Sequence, residues 1–327
     1  MRRIAWAFIA TATLIAAGRP RYGGTLRVQM RAALESPEAA DPWVGATAGA
    51  GPFRVVQWEP RRRAVLAASD DYPGGRPFVD SIEIQMSRSL RDQALDLELD
   101  KADIVEIEPA GARRASQRGI RIWTSPPVEW MGLLTRAEDP RLREAVSLAL
   151  DRATMHAVLL GKHGEPAGAL LPQWLSGHAF LFSTARNLEK ARKLAAEIRP
   201  APVVTLAYDA SDPTARAVAE RIAVDVREAG IRVRTVAGAA PAAEWRLVRQ
   251  RVAAQRPGPA LAGLAAALGL PARETSSPED VYRWERELVD EARVIPLFHL
   301  PEIYGLGPRV RNWQGRLEDV WLDAGPR

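Results

Sequence analysis

The sequence predicts an α/β protein of two lobes, and three observations predict it. The chain has 327 residues, enough for two domains that each bury a core. Val203 to Val236 reads strand, helix, strand, a βαβ unit with parallel strands and a right-handed crossover. The N-terminal half mixes short alternating runs with capped helical runs, the pattern of an α/β lobe.

Taken in order, Arg2 and Arg3 precede an apolar run from Ile4 to Ala17 and the small residues Ala16, Ala17 and Gly18. That is the pattern of an export signal over residues 1–17, cleaved near Ala17 or Gly18, with an uncleaved membrane anchor as the alternative. TLRVQ (Thr25 to Gln29) alternates as a strand, and the Ala/Gly/Pro-rich stretch from Ala32 to Ala50 reads as a loop or linker. Phe53 to Trp58 and Arg63 to Ala68 form a hairpin turning near Glu59-Pro60. Ser81 to Met86 is a period-2 strand, Ser89 caps a helix to about Leu99, and Asp103 to Ile107 is a strand. A short helix from Gly111 to Gln117 and a strand from Ile120 to Trp123 complete this half.

The second half opens on Asp139 to Gly161, read as one helix. Asp139 caps it, Pro140 occupies its first position and Gly161 ends it. Leu142, Ala145, Val146, Ala149, Leu150, Ala153 and Val158 form its apolar stripe. A loop from Lys162 to Ser183 leads to a helix over Asn187 to Ile198. In the βαβ unit, Val218, Ala219, Ile222, Ala223 and Val226 face inward. Ala242 to Ala254 and Pro259 to Leu270 read as helices. Ser277-Pro278-Glu279-Asp280 opens another helix, to about Ala292, and Val294 to Phe298 is a strand before a turn-rich tail.

Composition excludes several functions. The net charge of +5 is spread along the chain without a basic run, which argues against nucleic acid. The absence of cysteine excludes disulfides, thiolate catalysis and a lipid-anchored cysteine. The βαβ turn Tyr208-Asp209-Ala210-Ser211 lacks the glycines a dinucleotide needs, and Gly161-Lys162 lacks the spacing of a phosphate-binding loop. Ser176 has no nucleophile-elbow context, and the four histidines show no metal-ligand spacing. Asp70-Asp71 and Asp209 with Asp212 read as turn and cap residues. No cofactor and no catalytic residue is therefore expected. Loop tryptophans remain: Trp123, Trp130 and Trp174 can hold a ligand by area and stacking, or can pack the core.

Several stretches together resemble one family. GGTLRV (Gly23 to Val28), GAGPFRVVQWEP (Gly49 to Pro60), DDYPGGRP (Asp70 to Pro77) and DPRLREAVSLALDR (Asp139 to Arg152) are similar to motifs of the family 5 solute-binding proteins. These are the extracytoplasmic receptors of peptide-type ABC importers. PPVEWMGLL before Asp139, GKHGEPAGALLP after the helix, Thr205 to Val233 and VDEARVIPLFH (Val289 to His299) continue the likeness. The resemblance implies a two-lobed, type II-like periplasmic-binding-protein clamp. Lobe I is then 18–127 plus 293–327, and lobe II is 128–292. The family's additional domain normally precedes the GTGPFR-like motif; here only Arg31 to Thr47 separates the landmarks, so the clamp is expected to lack it. Peptide-binding members also place a W–D–Y-like loop where this chain has Arg246, Arg249, Arg251 and an Ala/Leu run, so that amine-binding aspartate does not carry over.

The resemblance implies a periplasmic, monomeric, non-enzymatic receptor for a small solute or oligopeptide, with an ABC permease as membrane partner. Trp130, Trp174 and Tyr208 are the expected ligand contacts, Tyr208 because open α/β sheets bind ligands at the C-terminal ends of strands. The alternatives are a binding-deficient scaffold or partner-interaction protein, and a hydrolase if a nucleophile and a base share the crevice.

Overall fold

The computed structural model describes residues 20–37, 51–238, 240–252, 254–275 and 277–323. The expected signal and most of the Ala32 to Ala50 linker lie outside the described residues.

Alternating side chains build the first lobe. In β1 (Thr25–Gln29) Leu26 and Val28 are buried, and in β4 (Ser81–Gln85) Ile82 and Ile84 are buried. β2 (Phe53–Glu59) and β3 (Arg63–Ala68) form the expected hairpin, and β3 continues antiparallel onto β4. β1 runs parallel to both β4 and β5 (Ile104–Glu106). α1 (Leu90–Glu98) starts where Ser89 Oγ accepts the Asp92 N–H at 3.1 Å. α2 (Pro109–Gln117) starts with proline at its first position.

Two long strands leave this lobe and enter the next. β6 (Arg121–Thr135) and β11 (Val294–Leu306) pair antiparallel over most of their length. β6 is far longer than the strand expected at Ile120 to Trp123; Pro126 and Pro127 interrupt its hydrophobic pattern in the sequence but lie where the pairing with β11 is irregular.

The second lobe wraps helices around the far half of these strands. In chain order these are α3 (Pro140–Ala149), α4 (Arg152–Leu159), β7 (Glu165–Pro166), α5 (Gln173–Ser176), α6 (Leu188–Ala196), β8 (Val203–Tyr208), α7 (Pro213–Glu228), β9 (Arg232–Ala237), β10 (Trp245–Arg251), α8 (Pro257–Ala267) and α9 (Pro278–Asp290). β8, α7 and β9 form the expected parallel βαβ unit. Among the described residues one sheet runs in the order β2-β3-β4-β1-β5-β11-β6-β10-β8-β9, with β7 on β11. A small ribbon of β12 (Val310–Arg311) and β13 (Trp321–Leu322) closes the C-terminal end.

Among the described residues three large cores and a small one, of Leu97, Ala102 and Val105, follow from these strands. Leu26, Val28, Leu66, Ile82, Ile84 and Ile104 fill the first lobe, joined by Trp313 and Val320 from beyond β11. In the second lobe the pleat of β6 sends Met131 and Leu133 to the α3/α6/α7 side, and Trp130 and Leu134 to the α8/α9 side. In β11, Val294 to Leu300 pack with the second lobe and Tyr304 packs with the first. The return crossing therefore lies near Pro301, where the pairing register shifts, later than the boundary expected at residue 293.

Two local expectations are corrected. The Asp139 to Gly161 helix is two helices. Leu150 is extended (φ −72°, ψ 125°), and Asp151 starts α4 by accepting the Thr154 N–H at 2.9 Å. The break resets the helical phase, so Met155 and Leu160 are buried whereas Ala153 and Val158 are exposed. Arg152 fills the junction, donating to the Pro296 carbonyl at 2.9 Å; its complete burial pulls its pKa down to about 10. The second correction is β10, which stands where a helix over Ala242 to Ala254 was expected. Trp245 and Leu247 alternate with exposed Arg246, and the strand pairs antiparallel with β6, which outweighs the helical propensity of the flanking alanines.

Candidate functional site

The C-terminal ends of parallel strands meet between the lobes. β1 ends at Gln29 and is followed by Arg31; β5 ends at Glu106; β8 is followed by the Asp209–Asp212 turn. β10 adds Arg249 and Arg251, β6 adds Glu129 from its middle, and β11 adds Glu302 and Tyr304. These residues line a cleft of about 460 Å³, continued by a narrow extension of about 60 Å³ that reaches Glu108. Open α/β sheets place ligands at this position, because the turns there leave backbone and cap groups facing a crevice.

Its walls are ionic. Arg249 lies at the centre: its Nε donates to Glu129 Oε2 at 2.8 Å, and its Nη1 reaches Asp212 Oδ2 at 3.3 Å. Burial opposes its charge, but Glu129 and Asp212 together hold its pKa above the ordinary arginine value. Asp212 also caps α7, accepting the Ala215 N–H at 3.1 Å, and is 3.8 Å from Arg31, which pairs with Glu106 at 3.3 Å. Arg251 pairs with Glu302. Glu108 takes the Thr214 hydroxyl at 3.3 Å; burial and the nearby Asp212 raise its pKa above the usual carboxylate range. Arg31–Asp212 and Thr214–Glu108 both join the first lobe to the second.

The expected ligand contacts lie elsewhere. Trp130 has no exposed surface; it is a β6 residue in the α8/α9 core, the cluster that also holds Leu170, Leu261 and Trp284, and not a loop residue. Trp174 on α5 is 49% exposed and donates its indole N–H to the Pro127 carbonyl at 2.7 Å, outside the cleft walls. Tyr208 is half-buried against the α3/α6/α7 core, and the wall begins at its neighbour Asp209. Trp130 read as a loop tryptophan because Pro126 and Pro127 break the pattern of the run that contains it. The period-2 run WRLVRQR and the paired Asp209/Asp212 carried the signal that could have found the cleft.

A larger groove of about 870 Å³ lies between the starts of α8 and α9. It belongs to one lobe, and among the described residues its charged walls are Arg256 and Glu274. The interlobe cleft, with charged groups converging from both lobes, is the better candidate. Among the described residues no cluster of His, Cys, Asp and Glu is placed to hold a metal ion. In the cleft, Ser211 Oγ donates to Asp209 Oδ1 at 2.8 Å, and no histidine stands among the wall residues to act as its base. What this arrangement supplies is fixed charge and hydrogen bonding.

Comparison with known proteins fits this geometry. Residues 12–261 match the family described as bacterial extracellular solute-binding proteins, family 5 Middle. The chain belongs to this family. Its members are binding proteins. Curated relatives include the oligopeptide-binding protein AppA of Bacillus subtilis, 24% identical over 125 residues (36% of this chain, 23% of AppA). The probable D,D-dipeptide-binding periplasmic protein DdpA of Escherichia coli is 24% identical over 200 residues (58% of this chain, 38% of DdpA). Among solved structures, the Helicobacter pylori periplasmic binding protein DppA in complex with the peptide STSA superposes with a TM-score of 0.70 at 15% identity, over 84% of this chain and 63% of that one. The chain thus spans less than two-fifths of these curated relatives and less than two-thirds of that structure. Over the described residues the fold is the two-lobed clamp of these binding proteins.

Proposed function

We propose that this protein is an extracytoplasmic solute receptor of an ABC importer, which closes its lobes on a small solute or short peptide and presents the closed form to a membrane permease. One observation carries this reading: charged side chains from both lobes converge on a cleft at the C-terminal ends of β1, β5 and β8, between lobes joined by β6 and β11. Two crossing strands permit a hinge, and closure on a ligand is the established use of such a hinge. Relatives named for oligopeptides and dipeptides support peptide-like solutes as the class. The proposal includes export by the N-terminal signal and a monomeric mature chain. Without the additional domain one side of the cleft is open, which favours short ligands over long ones.

Thermal melting of the purified protein against oligopeptides, sugars and metal chelates tests the reading. A ligand at a hundred times its Kd stabilises the fold by about 2.7 kcal/mol. For a protein of this size that is a shift of roughly 4 °C. Shifts below about one degree throughout, with a cooperative melt, would reject it.

A second reading is a scaffold that no longer binds. It is favoured by the ion pairs that Arg31, Arg249 and Arg251 already make inside the cleft. The same melt separates the two.

A further inference from the structure

The charge balance of the cleft says more about its ligand than its size does. This step rests on the receptor reading above. Three arginines stand in the walls, Arg31, Arg249 and Arg251, and each is engaged by a carboxylate. An arginine so engaged is a poor receptor for an anionic solute, because the incoming carboxylate or phosphate must displace a pair that is already formed and desolvated. Six carboxylates face these three cations: Glu106, Glu108, Glu129, Asp209, Asp212 and Glu302. The walls therefore carry a formal charge of −3, although the whole chain carries +5.

The excess is sharpest where the lobes meet. Glu108 stands just before the first turn of α2 in the first lobe without a capping bond, and Asp212 caps the start of α7 in the second. Burial and the neighbouring Asp212 disfavour the charge of Glu108, which Arg31 and the hydrogen bonds from Thr214 offset only in part. Asp212 is 96% buried, since 4% of its surface is exposed, so its charge is screened little by solvent. A cation entering between the two relieves their repulsion and draws the lobes together.

We propose that the cleft selects a small organic cation, such as a short peptide with a basic side chain, and that Glu108 and Asp212, one from each lobe, hold its positive group when the clamp is closed. The class follows from low-dielectric walls of one sign, which concentrate ligands of the other.

Three dipeptides of one backbone, Lys-Lys, Ala-Ala and Glu-Glu, test this by thermal melting and titration calorimetry on the mature protein. Lys-Lys is expected to raise the Tm by several degrees and to bind at least tenfold more tightly than Ala-Ala, with Glu-Glu inert. Glu108→Gln keeps the shape and removes the charge; it is expected to lower Lys-Lys affinity at least tenfold and leave Ala-Ala affinity unchanged. Glu98→Gln alters net charge equally but lies in the exposed end of α1, and is expected to leave the Lys-Lys preference intact. If Ala-Ala or Glu-Glu binds as tightly as Lys-Lys, or Glu108→Gln leaves the preference unchanged, the cation inference is wrong and the receptor reading stands. If no dipeptide and no member of the broader panel shifts the melt, the receptor reading is overturned and this inference with it.

Discussion

Among single residues, two buried aspartates with opposite surroundings make a direct comparison. Asp103 is 2% exposed and accepts from Arg27 Nε at 2.9 Å and Arg309 Nη2 at 2.9 Å. Burial works against its charge, but the two guanidinium groups prevail and hold its pKa below the usual carboxylate value. Asp103→Ala leaves two arginines without their partner and is expected to cost about 3–5 kcal/mol in chemical denaturation. Because the folded pKa is depressed, this contribution is present above the ordinary carboxylate pKa of about 3.9 and is lost as pH falls through the lower folded value. Melting from pH 7 to pH 3 should show a constant gap between Asp103→Ala and the wild type that begins to narrow only below about pH 4. Asp225 behaves in the other sense. Burial raises its pKa, and its carboxylate accepts the Asp151 N–H at 2.9 Å. Asp225→Asn keeps an acceptor for that N–H and removes a desolvated charge, so at pH 7 it is expected to change stability by less than about 1 kcal/mol. A loss of about 3 kcal/mol or more would mean that its ion pair with Arg221 outweighs the burial cost.

At the scale of elements, the α3–α4 junction and the βαβ unit give separate tests. α4 depends on Asp151 as its cap, so Asp151→Ala is expected to cost about 0.5–2 kcal/mol by loss of the cap. Were the region one continuous helix, as its apolar stripe suggests, the same change would be neutral or stabilising; urea denaturation decides. α7 presents Val218, Ile222 and Val226 to the α3/α6 side, each almost fully buried. Ile222→Asp places an unpaired charge there and is expected to cost roughly several kcal/mol, enough to lower the Tm by many degrees. An unchanged melt would show that this face is not packed. The motif similar to the family's DxRVRQAL–AIDR helix owes its charges to these same junctions. Arg143 donates to the carbonyls of Ala137, Glu138 and Glu291, and Arg152 to those of Pro296 and Ser147. Their task is to satisfy buried backbone oxygens, which explains positive residues amid an apolar run.

For the whole molecule, the question is what sets the closure of the clamp. Arg31 reaches Asp212 across the cleft at 3.8 Å, and Thr214 reaches Glu108 at 3.3 Å. These contacts are few, so closure without a solute is weakly held. Arg31→Ala is expected to leave the Tm nearly unchanged while increasing the radius of gyration of the ligand-free protein in small-angle scattering. No change in scattering would mean that the crossing strands, rather than the cleft contacts, set the lobe angle. Addition of a true solute should contract the wild type by hinge closure.

The sequence by itself determined the fold class, the βαβ unit, most caps and the family, because these depend on local periodicity and on cap and turn chemistry that each residue carries with it. Ser89, Asp139, Asp212 and Ser277 all cap the helices that their positions suggest. Tertiary structure decided what local pattern could not. β10 is a strand because β6 and β8 flank it, and β6 extends through two prolines because β11 tolerates an irregular register there. The cleft was decided in the same way. Arg31, Glu108, Glu129, Asp212, Arg249 and Glu302 are far apart in the chain, and no local pattern joins them. Only the parallel arrangement of strand ends, set by the sheet order, gathers their charges into one crevice. Trp130 shows the converse: an aromatic residue in a run with two prolines reads as a ligand contact until the pleat of β6 turns it into the core, because burial is a property of the neighbours a side chain meets.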